Sequence, residues 1–207
     1  MTVTDVNVVK SAIFERPDDA NKGTLGSLLC VCGSYGMAGA AVMSAKGALR
    51  TGIGLAKCAL PRSIYPIVAQ TILESVYYPL SENADGRISK VNVPFLVSES
   101  CKSSATLVGC GLGVCDDTLK IVFSLIENST TPLVLDADAL NCVAKQPEIL
   151  LRKKAPIIIT PHPGEMSRLT GLATPLVNAE RERVALDFAQ KYGVVTVLKG
   201  AGTVIAS

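Results

Sequence analysis

An α/β fold, with a mostly parallel central sheet and helices on both faces, is what two features of this sequence predict. Its apolar runs are short and continuous rather than alternating, the pattern of strands buried on both sides. Segments of helical periodicity separate those runs, and strand-helix alternation is how parallel strands are connected.

The elements follow in order. SLLCVC (27–32) reads as a buried strand, then the glycine-rich GSYGMAGA and a small-residue helix to about Arg50. GLAKCALP (54–61) is a second strand; SATLVGC (104–110), PLVLDA (132–137), PIIIT (156–160) and VVTVLKG (194–200) follow, each closed by Gly, Pro, Asp or a similar breaker. Helices are expected near 62–70, 91–101, 116–128, 138–153, 164–171 and 178–192. In the last, Asn178 is the expected cap, Glu180 and Glu182 suit the first turn, and Val184, Phe188 and Tyr192 share a face. The polar SENADGRISK (81–90) reads as an exposed excursion. No repeat, low-complexity tract or long linker divides the chain, so one domain over 1–207 is expected.

Composition narrows the function. With 48% hydrophobic and 18% charged residues over 207 positions, there is ample material for a core. A net charge of +2 gives no electrostatic reason to expect nucleic acid, and 4% aromatics without tryptophan offer no base-stacking platform. MTVTDVNVVKSAIFERPDD lacks the basic-then-apolar order of a signal peptide, and no apolar run reaches the roughly 20 residues of a membrane helix. A cytosolic (cytoplasmic) protein is expected. Seven cysteines, at 30, 32, 58, 101, 110, 115 and 142, contain no C-x-x-C pair and have one histidine between them, which argues for core thiols over zinc or disulfides.

The chemistry-bearing residues cluster at strand ends, where open α/β sheets bind ligands. They are Gly33-Ser-Tyr-Gly-Met-Ala-Gly39, Gly109-Cys-Gly-Leu-Gly113, Asp136-Ala-Asp-Ala-Leu-Asn141, Thr160-Pro-His-Pro-Gly-Glu165 and Leu198-Lys-Gly-Ala-Gly-Thr203. Neither glycine loop is a phosphate loop with GK[ST], yet both let backbone amides approach phosphates. Lys199 suits a nucleotide phosphate or ribose, or is a solvated charge at a hairpin. Asp136 and Asp138 are either a helix N-cap pair or part of a phosphate or magnesium region. His162, the single histidine, stands between Pro161 and Pro163 on a stiffened backbone. It is aimed at a ligand or is an ordinary strand-to-helix corner.

GSYGMAGAAVMSAKGALRTGIGL, VGCGLG, LVLDADALN, ITPHPGEMSRLTG and VVTVLKGAGTVIA, in that order, resemble the ADP/ATP-dependent NAD(P)H-hydrate dehydratase family of the ribokinase-like superfamily, from about Lys22 to Ser207. The resemblance implies a ribokinase-like three-layer sandwich and a lyase that restores hydrated NADH or NADPH with ADP or ATP and Mg2+. It implies a homo-oligomer and functional pairing with an NAD(P)H-hydrate epimerase. Ala40, Gly111, Gly113 and His162 would line the hydrated substrate. Lys199, Gly200, Ala201, Gly202 and Thr203 would hold the adenine nucleotide, with Asp136, Asp138 and Glu165 in the phosphate or Mg2+ region. The alternatives are a ribokinase-like small-molecule kinase and a non-catalytic nucleotide-binding remnant. The family's G-[ST]-G-D segment, whose aspartate is the expected base, does not occur in the sequence. That residue is therefore expected beyond Ser207, in which case the chain is C-terminally incomplete, or else the chain is a degenerate member; in both cases it is expected to turn over little.

Overall fold

The computed structural model describes residues 17–207 together with Asn7 and Lys10. The stretch read above for a signal peptide otherwise lies outside the described residues. Among those described, eight strands form one sheet: β1 (Ser27–Val31), β2 (Leu55–Pro61), β3 (Val76–Leu80), β4 (Ala105–Val108), β5 (Leu133–Leu135), β6 (Ile157–Ile159), β7 (Val195–Leu198) and β8 (Val204–Ala206). Their spatial order is β3-β2-β1-β4-β5-β6-β7-β8. Neighbours pair in parallel throughout, except the β7–β8 hairpin. The helices are α1 (Ala38–Arg50), α2 (Tyr65–Thr71), α3 (Val93–Cys101), α4 (Asp116–Asn128), α5 (Asp138–Val143), α6 (Pro163–Thr170), α7 (Thr174–Ala179) and α8 (Arg181–Tyr192).

The expected layered α/β architecture is present, with unequal layers. On one face Leu29, Val31, Val108, Leu135, Ile159 and Leu198 join buried residues of α3 to α8 in the larger core. On the other, Cys30, Cys32, Cys58 and Leu60 meet Ala41 and Ala45 of α1 and Val68 of α2. Those two helices cover β1 and β2. Further along the same face, Leu107, Val134, Ile158, Val195 and Val197 are only half-buried.

Three expectations need correction and a fourth needs refinement. The strand Val76–Leu80 was not anticipated, because VYYPL contains a proline. It lies at the sheet edge, where a missing backbone donor is tolerated. The helix expected over 138–153 is two pieces, since Pro147 forces Gln146 to φ −156°, ψ 77° and starts a separate 3-10 segment to Arg152. Asn178 is not the cap of α8: it lies inside α7, and α8 begins at Arg181 behind Glu180 with no side-chain cap. The 81–90 stretch is exposed over much of its length, as expected, but it is anchored to the body rather than loose. Glu82 and Ile88 form an antiparallel bridge, Ile88 is fully buried, and the Gly86 carbonyl accepts from the Tyr35 amide at 2.8 Å. No helix of the described residues is long and apolar enough to cross a membrane.

Behind β4 a buried hydroxyl chain joins α3 to the end of α4. The Ser100 and Ser129 hydroxyls lie 2.7 Å apart, Thr106 donates to Ser100 at 2.9 Å, and Ser129 donates to the Thr131 carbonyl at 2.9 Å. Replacing Ser100 strands Thr106 and deprives Ser129 of a partner in a dry interior. Ser100→Ala is expected to lower the free energy of unfolding by about 1–3 kcal/mol, read from the urea midpoint.

Candidate functional site

From β1 the chain runs outward through β2 and β3, and from β4 it runs the other way. The reversal lies between β1 and β4, and their carboxyl ends carry the two glycine loops. The loops interlock there: the Gly33 amide donates to the Cys110 carbonyl at 2.9 Å, and the Ser34 hydroxyl to the Gly111 carbonyl at 2.8 Å. Gly111 has φ +64°, and a Cβ there would come within 2.6 Å of the Ala40 Cβ. Gly109 is tighter still, with φ +123° and a hypothetical Cβ 1.9 Å from the Asp136 carbonyl oxygen. Only glycine lets these segments touch.

Asp136 is the hub of the edge. Its Oδ1 accepts from Lys199 Nζ at 2.7 Å and from the Thr160 hydroxyl at 2.8 Å; its Oδ2 accepts from the Cys110 thiol at 3.5 Å. Four strand ends, those of β4, β5, β6 and β7, thus meet at one carboxylate. Burial alone would raise its pKa, but the hydrogen bonds from Lys199 and Thr160, with the lysine charge, hold it below the ordinary carboxylate value. The Cys110 thiol is lowered chiefly by a hydrogen bond from Cys32, whose own thiol is pushed up by that bond and by burial. Beside these groups runs a groove of about 520 Å³ lined by Ala40, Met43, Ser44, Cys110, Asp136 and Thr160. Neither aspartate caps α5. Asp138 accepts from the Gly113 amide at 2.8 Å, and the cap position is Ala137, with φ 48° and ψ −114°, a backbone region normally left to glycine.

His162 turns out to be the N-cap of α6. Its Nδ1 accepts from the Gly164 and Glu165 amides at 3.0 and 3.3 Å, and Glu165 Oε2 returns the favour to the His162 amide at 2.8 Å. An accepting Nδ1 leaves Nε2 as the protonated nitrogen, 3.3 Å from Glu165 Oε1. The imidazole is half exposed, so the same residue caps the helix and offers one donor to solvent. The Lys199 amide, bonded to the Pro161 carbonyl at 2.8 Å, keeps the two sequence-predicted residues adjacent.

The structure therefore brings together Ala40 with Gly111, Gly113 with Asp138, and Asp136 with Lys199. Glu165 stays apart from them, buried and occupied with His162. Gly200, Ala201, Gly202 and Thr203 form an exposed turn between β7 and β8. Sequence reasoning missed Arg181, whose guanidinium donates to the carbonyls of Leu198, Lys199 and Gly202 at 2.8, 3.1 and 3.3 Å and staples that turn. A contact from a helix to a hairpin eighteen residues away leaves no local signal. It also missed Arg87, which packs over Gly113; Thr160, by contrast, was in view in TPHPGE. A second groove, about 730 Å³, flanks the staple between Asn178–Arg183 and Gly202–Val204 but reaches none of the Asp136 cluster.

The carboxylates do not fit a magnesium ion held by the protein. Asp136 is paired with Lys199, Asp138 binds a backbone amide, Glu165 is a capping group, and among the described residues no three potential ligands converge. A hard cation at this edge fits better as one carried on phosphate oxygens.

Two substitutions separate the roles. His162→Ala, losing cap and donor, is expected to cost about 1 kcal/mol of stability, while His162→Asn keeps an oxygen to cap α6 and restores most of it; thermal melts of the pair read this directly. Ala137→Gly releases the strained backbone and is expected to stabilise by about 1 kcal/mol, checked by urea unfolding.

Comparison with known proteins assigns the fold and the family. The family profile described as NAD(P)H-hydrate dehydratase matches residues 28–207. The bifunctional NAD(P)H-hydrate repair enzyme Nnr of Thermofilum pendens is 39% identical over 192 residues, 93% of this chain and 37% of that protein. The crystal structure of ADP/ATP-dependent NAD(P)H-hydrate dehydratase from Bacillus subtilis, co-crystallized with ATP/Mg2+, superposes with a TM-score of 0.79 at 29% identity, covering 97% of this chain and 67% of that one. A ribokinase-like superfamily protein from Enterococcus faecalis, at 20% identity and TM-score 0.77 over 94% of this chain, shares the fold. This chain thus spans little more than a third of the repair enzyme's length. Its fold is ribokinase-like, and the chain belongs to the NAD(P)H-hydrate dehydratase family.

Proposed function

We propose that this chain forms the binding body of an enzyme that dehydrates hydrated NADH or NADPH using ADP or ATP. The observation that carries this reading is the meeting of both glycine loops with Asp136 and Lys199 at the reversal of the sheet, in a chain of this family. The hydrated ring carries a hydroxyl on the carbon beside its nitrogen, and hydroxide leaves poorly. Transfer of a terminal phosphoryl group to that oxygen makes a good leaving group. The ring nitrogen's lone pair then expels phosphate, and loss of a proton from the neighbouring carbon restores the double bond. The protein's part is alignment and charge neutralisation.

In this reading the substrate lies along Ala40, Gly111 and Gly113, with His162 Nε2 as a donor to it. Lys199 and the 200–203 turn take the nucleotide phosphates, Arg181 holding that turn in shape. Magnesium, when bound, neutralises phosphate charge. None of the 207 residues is assigned as the base that activates the hydroxyl. A homo-oligomer, a cytoplasmic location and work alongside an NAD(P)H-hydrate epimerase belong to the same proposal.

The test is calorimetric titration with ADP and with ATP, each with and without Mg2+, beside recovery of 340 nm absorbance from hydrated NADH. Nucleotide binding is expected, and Lys199→Ala should weaken it about tenfold, or 1.4 kcal/mol. Phosphate release with returning absorbance supports dehydration. A stable phosphorylated product would instead identify a kinase, and binding without either would leave a nucleotide-binding remnant.

A further inference from the structure

Cys32 and Cys110 lie on neighbouring segments where β1 and β4 leave the sheet. Val31 pairs with Val108, the Gly109 amide donates to the Val31 carbonyl at 3.2 Å, and the Gly33 amide donates to the Cys110 carbonyl. Cys32 and Cys110 are therefore diagonal neighbours across adjacent parallel segments. With strands about 4.8 Å apart and a rise of about 3.3 Å per residue, their Cα atoms stand roughly 6 Å apart, inside the range a disulfide spans. Both side chains belong to the same apolar cluster under α1, the Cys32 thiol donating toward the Leu107 carbonyl at 4.0 Å and the Cys110 thiol to Asp136 Oδ2 at 3.5 Å.

Access together with a sheltered neighbour distinguishes this pair from the other thiols; Cys115 is half-buried too, but its sulfur is engaged with Thr118 at the cap of α4. Cys110 is half-buried and lines the 520 Å³ groove, whereas Cys32 behind it is 1% exposed. Cys30 and Cys58 also face each other across β1 and β2, but both are sealed beneath α1 and α2. Cys101 is exposed, and its thiol faces the Asn128 carbonyl. An attacking sulfur open to a groove with a sheltered second sulfur at its back is the arrangement of a redox-responsive pair.

We propose that Cys110 and Cys32 form a reversible disulfide at the floor of the groove, made by small hydroperoxides and reopened by dithiols. The Cys110 sulfur, giving up its proton, attacks the hydroperoxide; the O–O bond breaks, an alcohol or water leaves, and Cys110 becomes a sulfenic acid. The Cys32 sulfur, losing its proton, attacks Cys110; the S–O bond breaks and the oxygen leaves as water. Two thiols and one hydroperoxide give one disulfide, one alcohol and one water. The bridge removes the thiol donor to Asp136 and pins the 109–113 loop to β1. This holds whatever ligand the groove takes.

The experiment uses the chain carrying Cys101→Ser, treated with stoichiometric hydrogen peroxide and then alkylated. Expected are four alkylated cysteines in place of six, a non-reduced peptide joining Cys32 to Cys110, and full reversal by dithiothreitol. With Cys32→Ser added, dimedone should label Cys110; with Cys110→Ser, neither label nor cross-link should form. Hydrogen exchange of the 109–113 amides should slow about tenfold in the oxidised form. A bridge to another cysteine, sulfenic acid at Cys32 or Cys115 ahead of Cys110, or six thiols left unreacted would overturn the pair. Unchanged exchange in a bridged protein would overturn its grip on the loop.

Discussion

The backbone after β4 is pressed between two others, and the site exists because nothing intervenes. At Gly109 a single carbon would collide with the Asp136 carbonyl, and at Gly111 with Ala40. These contacts fix how far the β1 loop, the β4 loop and the start of α5 stand from one another. Asp136 can then reach Cys110, Thr160 and Lys199 at once. The strained backbone at Ala137 belongs to the same constraint, since the chain must turn sharply there for α5 to begin beside Gly109.

Before any ligand arrives, the charges at this edge are satisfied among themselves. Lys199 and Asp136 remain partly exposed, 42% and 25%, so their attraction is screened and is worth at most about 1 kcal/mol. A multiply charged phosphate can draw the lysine away at little cost, while Thr160 and Cys110 still hold the carboxylate in place. The pair keeps Lys199 extended toward the edge.

The sheet was legible because its strands are continuous apolar runs; SLLCVC, PLVLDA and PIIIT could hardly be anything else. The edge strand was not, since VYYPL mixes proline with residues that suit a half-exposed surface. The strand-end residues could be collected from sequence because parallel strands place all their carboxyl ends together. How they touch could not. Whether His162 caps α6 depends on a ring rotation, and Arg181's hold on the 199–202 turn depends on α8 lying against β7 and β8. Asn178 failed as a cap for a similar reason, a second short helix occupying the residues before Arg181.

The unequal helical layers bear on how this molecule behaves in solution. Among the described residues, Leu107, Val134, Ile158, Val195 and Val197 form an apolar strip across four strands that stays only half-buried. Each square ångström of it removed from water is worth about 25 cal/mol, so covering the strip is favourable for any surface of matching shape. Colloidal repulsion offers little opposition: the chain carries a formal charge of +2 at pH 7, and its isoelectric point is about 8.1. Moving toward that pH, or adding salt, removes what repulsion there is, so purity and concentration are best sought in mildly acidic, low-salt buffer.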